Sequence, residues 1–403
     1  MANIYFEDKQ GSPDYKWDTV VNWWTDTART ISAGALPIAG DSIFIAGGIH
    51  HGPSVSLTFS SIKVADVSTG GGSFNALFTG ALGPVFFYDH TYNYGTLDDA
   101  TFYDYSVNNG TVTNGVFNND SSNLLYATNG IFNNQSFNNG FSTTGTFNSG
   151  SKNYFNVTTG IFNDSARNMG SVSSAKFYFI AINNSFFVLP EGDFYGISWN
   201  ESQVTIGNFH DSASNQNGGG LVTTANLHNT SYNIGTITTG NFYNSSLNHV
   251  IFTIRGIVGT GNFYDTSVNQ ADATTANFHN NSYYDIGSTA TTANFYDITY
   301  NLGTVPTANF YDVSYNLGTV TTAFFYNNSY NDMGGTVSGT ATFRDSSYVK
   351  DTSSVTTKVW RDTGFITQPD PSNVVGGTAY GTGSSLMGTR GSGINGTGFS
   401  GTY

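Results

Sequence analysis

Between residues 87 and 177 a phenylalanine falls every fifteen residues, at Phe87, Phe102, Phe117, Phe132, Phe147, Phe162 and Phe177. The unit returns at Phe295, Phe310 and Phe325. Such a period constrains the architecture before local propensity does, because every copy must repeat one structural unit against its neighbours. Counting the Phe as zero, position +4 is small: Thr91, Ser106, Ser121, Ser136, Ser151, Ala166, Ala181. Position +6 is Asn: Asn93, Asn108, Asn123, Asn138, Asn153, Asn168 and Asn183. Position +2 is mostly Asp or Asn, and +8 is often Gly, as at Gly95, Gly110, Gly140 and Gly170. Position +5 varies from Tyr92 to Lys152 and Arg167. Lys and Arg are almost never fully buried, so +5 is expected to face water. Strand alternation then turns +4 and +6 inward.

Rows of identical side chains require copies stacked in register. Fifteen residues are too few for a helix pair or a propeller blade, but they suit one coil of a β-solenoid. Stacked Asn amides then pass donor to acceptor along the axis, and stacked Phe rings supply the apolar burial. The expected fold is all-β: a single-chain, parallel, three-sided β-solenoid. Its sides are centred on Phe, on Ser-x-Asn and on Thr-Val-Thr, and the repeats span residues 87–349 in about seventeen coils. The anchors continue as Phe194, Phe209, Leu227, Phe242, Phe263, Phe278 and Phe343 with some wider spacings. The extra residues should bulge at corners, most conspicuously around Gly218-Gly219-Gly220 and from Ile251 to Val258. The +6 Asn fails at Tyr284 and Val349.

The flanks do not repeat. Residues 1–40 hold Trp17, Trp23 and Trp24 and read as an N-terminal cap or docking segment, since a solenoid end must be closed against edge pairing. Residues 41–86 read as irregular first coils. Residues 350–403 read as a terminal strand from Val355 to Arg361, followed by a Gly-rich tail whose spaced apolar residues could order on a partner.

Aromatics at 15% supply ample core, while charged residues reach only 10%. The net charge of −14 argues against a nucleic-acid partner. There is no cysteine, no apolar run long enough to enter a membrane, and no signal-peptide pattern in Met1 to Asp8.

Several patterns could carry chemistry. The +2 carboxylates Asp89 and Asp104, and Asp297 and Asp312, stand one coil apart and could repel or hold a cation. Asn119, Asn134, Asn244 and Asn327 occupy the same position, which favours a turn role that either side chain can fill. A tyrosine row at +1 includes Tyr88, Tyr103, Tyr264, Tyr296, Tyr311 and Tyr326. Tyr296, Tyr311 and Tyr326 are candidate glycan-contact residues; the competing reading is ring-on-ring stacking. The repeat region has only two Glu, Glu191 and Glu201, and the seven His lack zinc-ligand spacing. The expectation is a non-enzyme without metal or cofactor. The Asn-x-Ser/Thr triplets follow from the repeat itself.

Two resemblances bear on function. The unit Asn309-Phe310-Tyr311-Asp312-Val313-Ser314-Tyr315-Asn316-Leu317-Gly318 resembles tandem repeats in structural proteins of bacteriophage virions, of the tail or capsid fibre type, and in large bacterial surface proteins. The likeness runs from about Phe87 to Tyr348. It implies a structural fibre or decoration protein of a phage virion that contributes to host-surface attachment. Its partners would be other virion proteins or further copies, met through the terminal segments, and a host surface glycan. The alternative is a bacterial surface adhesin or glycan-binding solenoid. Ala293-Asn294-Phe295 and Ala308-Asn309-Phe310 also look similar to pentapeptide-repeat proteins, but those have four-sided coils of twenty residues. Thr111-Val112-Thr113, Thr236-Ile237-Thr238 and Thr319-Val320-Thr321 resemble the ice-binding rows of insect antifreeze solenoids. Asp98, Tyr126, Asn156 and Pro306 interrupt those rows.

Overall fold

The computed structural model describes residues 84–361 except 89, 217–218, 252–253 and 351–352. It also describes the backbone of the strands Asn3–Phe6, Trp23–Trp24, Ser42–Ala46, Gly48–His51, Ser61–Ala65, Gly72–Asn75, Ala379–Tyr380 and Leu386–Met387. The chain divides into two compact units, Met1–Gln203 and Val204–Tyr403. Each is a parallel β-solenoid with roughly 15 residues per coil.

In the first unit every regular coil contributes one long and one short strand. The long strands Thr96–Phe102, Thr111–Phe117, Tyr126–Phe132 and Phe141–Phe147 pair in parallel, with Phe117 opposite Phe102 and Phe132. The short strands are two residues each, such as Val107–Asn108 and Ser122–Asn123, with Asn108 opposite Asn93 and Asn123. Alternation along a long strand breaks once. In Thr111–Phe117, Val112 and Gly115 are buried, while Thr113 and Asn114 between them are both exposed. Thr113 is also skipped in the pairing register. The strand therefore bends there. The sides expected around Thr-Val-Thr and around Phe are two arms of one bent strand, and Ser-x-Asn forms the third side.

Stacking begins before residue 87. Ser42–Ala46, Ser61–Ala65 and Val85–Phe87 pair in parallel, and so do Gly48–His51 and Gly72–Asn75. These are the irregular first coils. Asn3–Phe6 lies parallel to Ser42–Ala46 and antiparallel to Trp23–Trp24. The rest of the expected cap, including Trp17, lies outside the described residues.

The second unit repeats the plan from Leu221–Leu227 to Ser354–Trp360. The expected terminal strand forms here, and the Trp360 ring lies 4.5 Å from that of Phe343, taking the place of the repeat Phe. In the Gly-rich tail Ala379–Tyr380 pairs antiparallel with Leu386–Met387; the remainder lies outside the described residues.

The repeat Phe rings form a column in each unit, with centroids 4.7–4.9 Å apart from Phe87 to Phe194 and 4.5–5.0 Å apart from Phe242 to Phe343. All are fully buried; full burial of one such ring is worth about 1.5–3 kcal/mol. Position −2 is Gly or Ala from Ala100 to Ala341, because the ring folds over it. A Cβ on Gly115 would stand 2.7 Å from the Phe117 ring.

The spacing from repeat Phe to +6 is always six residues, so extra length enters after +6. Among the described residues, 184–188 in the first unit and 216, 219–220, 249–251, 254–256, 285–288 and 332–335 in the second occupy this corner; one further residue enters the strand Thr336–Phe343, where the pairing register shifts between Val320 and Ala323. Several coils of ordinary length have Gly at the corner after +6, as at Gly95, Gly110, Gly140 and Gly170, while Leu125, Phe155, Ser202 and Ala271 fill the position in others; at the glycines the backbones nearly touch. A Cβ on Gly110 would meet the Gly95 carbonyl oxygen at 2.1 Å.

Candidate functional site

The Asn residues at +6 form the expected buried column. Asn93, Asn108, Asn123, Asn138, Asn153, Asn168 and Asn183 each donate Nδ2–H to Oδ1 of the Asn one coil later, the last to Asn200, at 2.7–3.0 Å. Asn215 to Asn269 and Asn301 to Asn331 do the same in the second unit. The amide also closes its own corner: Asn93 Oδ1 accepts from Gly95 N–H at 3.0 Å. Asn is thus short enough to serve the corner and the ladder at once. The +4 serines are buried beside it, and Ser121 and Ser136 donate to the Phe carbonyls of the preceding coil. Position +5 faces outward as expected at Lys152 and Arg167. It is buried at Ser122 and Ile182, where taller +5 side chains on the adjacent coils cover the shorter one.

The +2 carboxylates belong to a corner. Asp104, Asn119, Asn134, Asp211, Asn229, Asp297, Asp312 and Asn327 all have φ between +46° and +60°, in the left-handed region. Asp and Asn tolerate that region better than other residues with a side chain. Their side chains also bond along the axis: Asn119 Nδ2–H to Asp104 Oδ1 at 3.1 Å, and Asn327 Nδ2–H to Asp312 Oδ1 at 3.0 Å. Asp312 Oδ2 accepts from the Asp297 backbone N–H at 3.4 Å. Asp89 lies outside the described residues. Among the described residues no three His, Asp or Glu converge in a metal-binding group.

Further outer amide columns escaped the sequence reading. Asn118, Asn133, Asn148 and Asn163 are bonded in series at 2.8–3.0 Å. Asn208, Asn226, Asn241, Asn262, Asn277, Asn294 and Asn309 follow at 2.7–2.9 Å. In these columns the later coil donates to the earlier, opposite to the buried column. The signal was present as Asn at +1 and −1.

Tyr296, Tyr311 and Tyr326 come together as a stack. Rings run from His210 through His228, Tyr243, Tyr264 and His279 to Tyr326, with centroids 4.7–5.1 Å apart and nearly parallel planes. Each ring covers its neighbours' faces and leaves its edge outward. Burial lowers the His228 and His279 pKa values; the adjacent His210 adds to the first effect and Asp297 opposes the second. A second stack, at +5, joins Tyr283, Tyr300, Tyr315, Tyr330 and Tyr348. The Thr236 row meets Ile257 in the next coil, so the outward threonines are interrupted there too.

The insert corner of the second unit is clipped by Arg255. Its guanidinium pairs with Asp272 at 2.9 Å and donates to the Gly287 carbonyl. This joins the antiparallel pair Val250–Ile251 and Ile254–Arg255 to the 285–288 loop.

A mixed polar and aromatic concavity lies in the first unit. It is an open groove of about 400 Å³ lined by Asp120, Gln135, Phe137, Asn139, Lys152 and Tyr154. These are outward +3, +5 and +7 positions of three successive coils. Phe137 and Tyr154 meet edge to face, at 6.3 Å and 82°. Unlike the stacked rows, this arrangement does not pair the two ring faces.

No family model, curated protein or solved structure matches the chain.

Proposed function

We propose that the chain is a non-catalytic structural protein. It would be a stiff element of a fibre or decoration of the kind its repeat resembles on bacteriophage virions, and it would contact host surface glycan along its side. The observation that carries this reading is how the repeated polar side chains are used. From Asn93 to Asn200 the amides are committed to the coils above and below, as are the outer Asn columns. A surface whose recurring groups hold one another is suited to bearing shape and load. Docking to other virion proteins or further copies falls to the terminal segments. Mass spectrometry and immunogold labelling of purified particles test the proposal: the protein should be found in them, and deleting residues 1–40 should abolish incorporation while the coils stay folded. Detection only at a bacterial envelope would replace the virion reading with that of a surface adhesin. The groove beside Phe137 and Tyr154 favours glycan contact in either setting.

A further inference from the structure

We infer that the groove of the first unit binds an acidic oligosaccharide, with a sugar ring against Phe137 and Tyr154 and a carboxylate at Lys152 and Arg167. This rests on the glycan-contact part of the reading above and names the site and the ligand class.

Three observations converge. First, sugar stacking needs an open aromatic face, because the ring face is electron-rich and attracts the polarised C–H groups of a pyranose. In the Tyr296–Tyr311–Tyr326 row those faces are covered by neighbouring rings. Phe137 and Tyr154 stand edge to face, and Tyr154 is 41% exposed. Second, the groove's other groups suit hydroxyls: Gln135 and Asn139 offer donors and acceptors, and Asp120 offers acceptors. Its volume of about 400 Å³ falls within the range of small-molecule sites.

Third, the cations are placed oddly. Lys152 and Arg167 stand opposite each other in adjacent coils, about 4.8 Å apart along the axis. Like charges directly opposite are unfavourable in a sheet. Arg255 pairs with Asp272 and Lys350 with Asp332, whereas Lys152 and Arg167 belong to no ion pair among the described residues. The chain has only 13 Lys and Arg against 27 Asp and Glu, so two cations standing opposite each other form a local exception. An anion would relieve the repulsion. Asp120 lies two coils away from Lys152, so the groove is polar along its length. The ligand's carboxylate belongs at the Lys152–Arg167 end and its hydroxyls toward Asp120.

The test is an array of sialylated and uronate-containing oligosaccharides, each beside its carboxyl-reduced counterpart, probed with the full chain. Retained sugars are then titrated calorimetrically. We expect carboxylated sugars to bind at least tenfold more tightly than their reduced forms. Tyr154→Ala and Lys152→Gln should each weaken binding at least tenfold with the melting temperature unchanged, and Tyr311→Ala should leave it unaltered. Retention of no carboxylated sugar, or equal binding of reduced sugars, overturns the acidic-ligand inference. Loss of binding in Tyr311→Ala but not in Tyr154→Ala overturns the site. Equal binding of reduced sugars that depends on Tyr154 would still uphold glycan contact. Absence of binding to every sugar removes the glycan part of the proposed function and leaves its particle-incorporation test standing.

Discussion

Asn269 and Tyr284 pair in register across adjacent coils, and there the buried amide column stops. Asn269 accepts from Asn248 at 2.7 Å, but its own Nδ2 finds no acceptor. The Tyr284 hydroxyl is also buried; Ser288 stands beside it without forming a well-aligned hydrogen bond. The ring packs edge-on to Phe278 at 5.8 Å and against Gly303, where a Cβ would come within 2.4 Å of it. Burial, reinforced by the Asp272 charge, pushes the phenol pKa far up. Tyr284→Phe keeps the packing and removes an unpaired polar group, so it should stabilise the second unit by about 1 kcal/mol. Tyr284→Ala should cost about 3–5 kcal/mol through the cavity it leaves. Urea denaturation of both variants checks the pair of outcomes; a less stable Tyr284→Phe would mean that the hydroxyl is bonded after all.

Asn138 accepts from Asn123 at 2.7 Å and donates to Asn153 at 2.9 Å. Asn138→Leu strips both bonds at once and leaves buried amide atoms without partners, at about 1–3 kcal/mol for each such group. Lys152→Ala, on the outward face, should change stability by less than about 0.5 kcal/mol. Equal shifts in denaturation midpoint would contradict the assignment of faces.

Phe179 occupies the +2 corner with φ of +57° and is 65% exposed. A bulky residue is an outlier in that region, whereas Asn is at home there. Phe179→Asn should therefore raise stability by roughly 0.5–1 kcal/mol, measurable as a higher melting temperature. No gain would mean that packing against Ile180 and Ile197 in the adjoining groove offsets the backbone strain.

Acid should loosen the ring stack of the second unit. His228 and His279 have folded-state pKa values below the ordinary 6.5. On acidification through that value the unfolded chain takes up protons before the folded one does, so stability falls. The stabilisation is complete above about pH 6.5 and declines as pH drops toward the folded values. Replacing both residues with Tyr, which already stands in this row, keeps the stacking and should flatten the dependence. Thermal melts at about pH 7.5 and 5.5 compare the two proteins. An unchanged acid slope would place the sensitive groups elsewhere.

The parts of this fold legible in the sequence were those with one residue type at one spacing. Phe at zero and Asn at +6 recur without a break from Phe87 to Asn183, and both form columns. Extra length was expected at corners, and most of it enters the one after +6, while one residue is taken up inside the strand Thr336–Phe343. The bend at Thr113–Asn114 was not legible, because a strand that turns through two consecutive outward residues looks in sequence like a loss of alternation. The +2 corner was read as a hydrogen-bonding preference, whereas backbone handedness is the stronger cause, as Phe179 shows by adopting the same φ with no side-chain acceptor. For the glycan candidates, the row from Tyr296 to Tyr326 could be read as accessible or self-stacked, and only ring planes separate those cases. The groove was not legible because its members come from three coils, and the positions they occupy, +3, +5 and +7, hold a different residue type in each coil.

The counter-running amide columns have an electrical consequence. A β-sheet backbone has little net dipole because neighbouring peptide units alternate. A single file of Asn side chains does not alternate: from Asn93 to Asn200 every amide points the same way. Left alone, such a file would build opposite partial charges at its two ends, as aligned peptides do in a helix. The outer files, Asn118 to Asn163 and Asn208 to Asn309, point the other way. Over the coils where both files run, each added coil extends two opposed fields together, so the stack polarises less than a single file would make it.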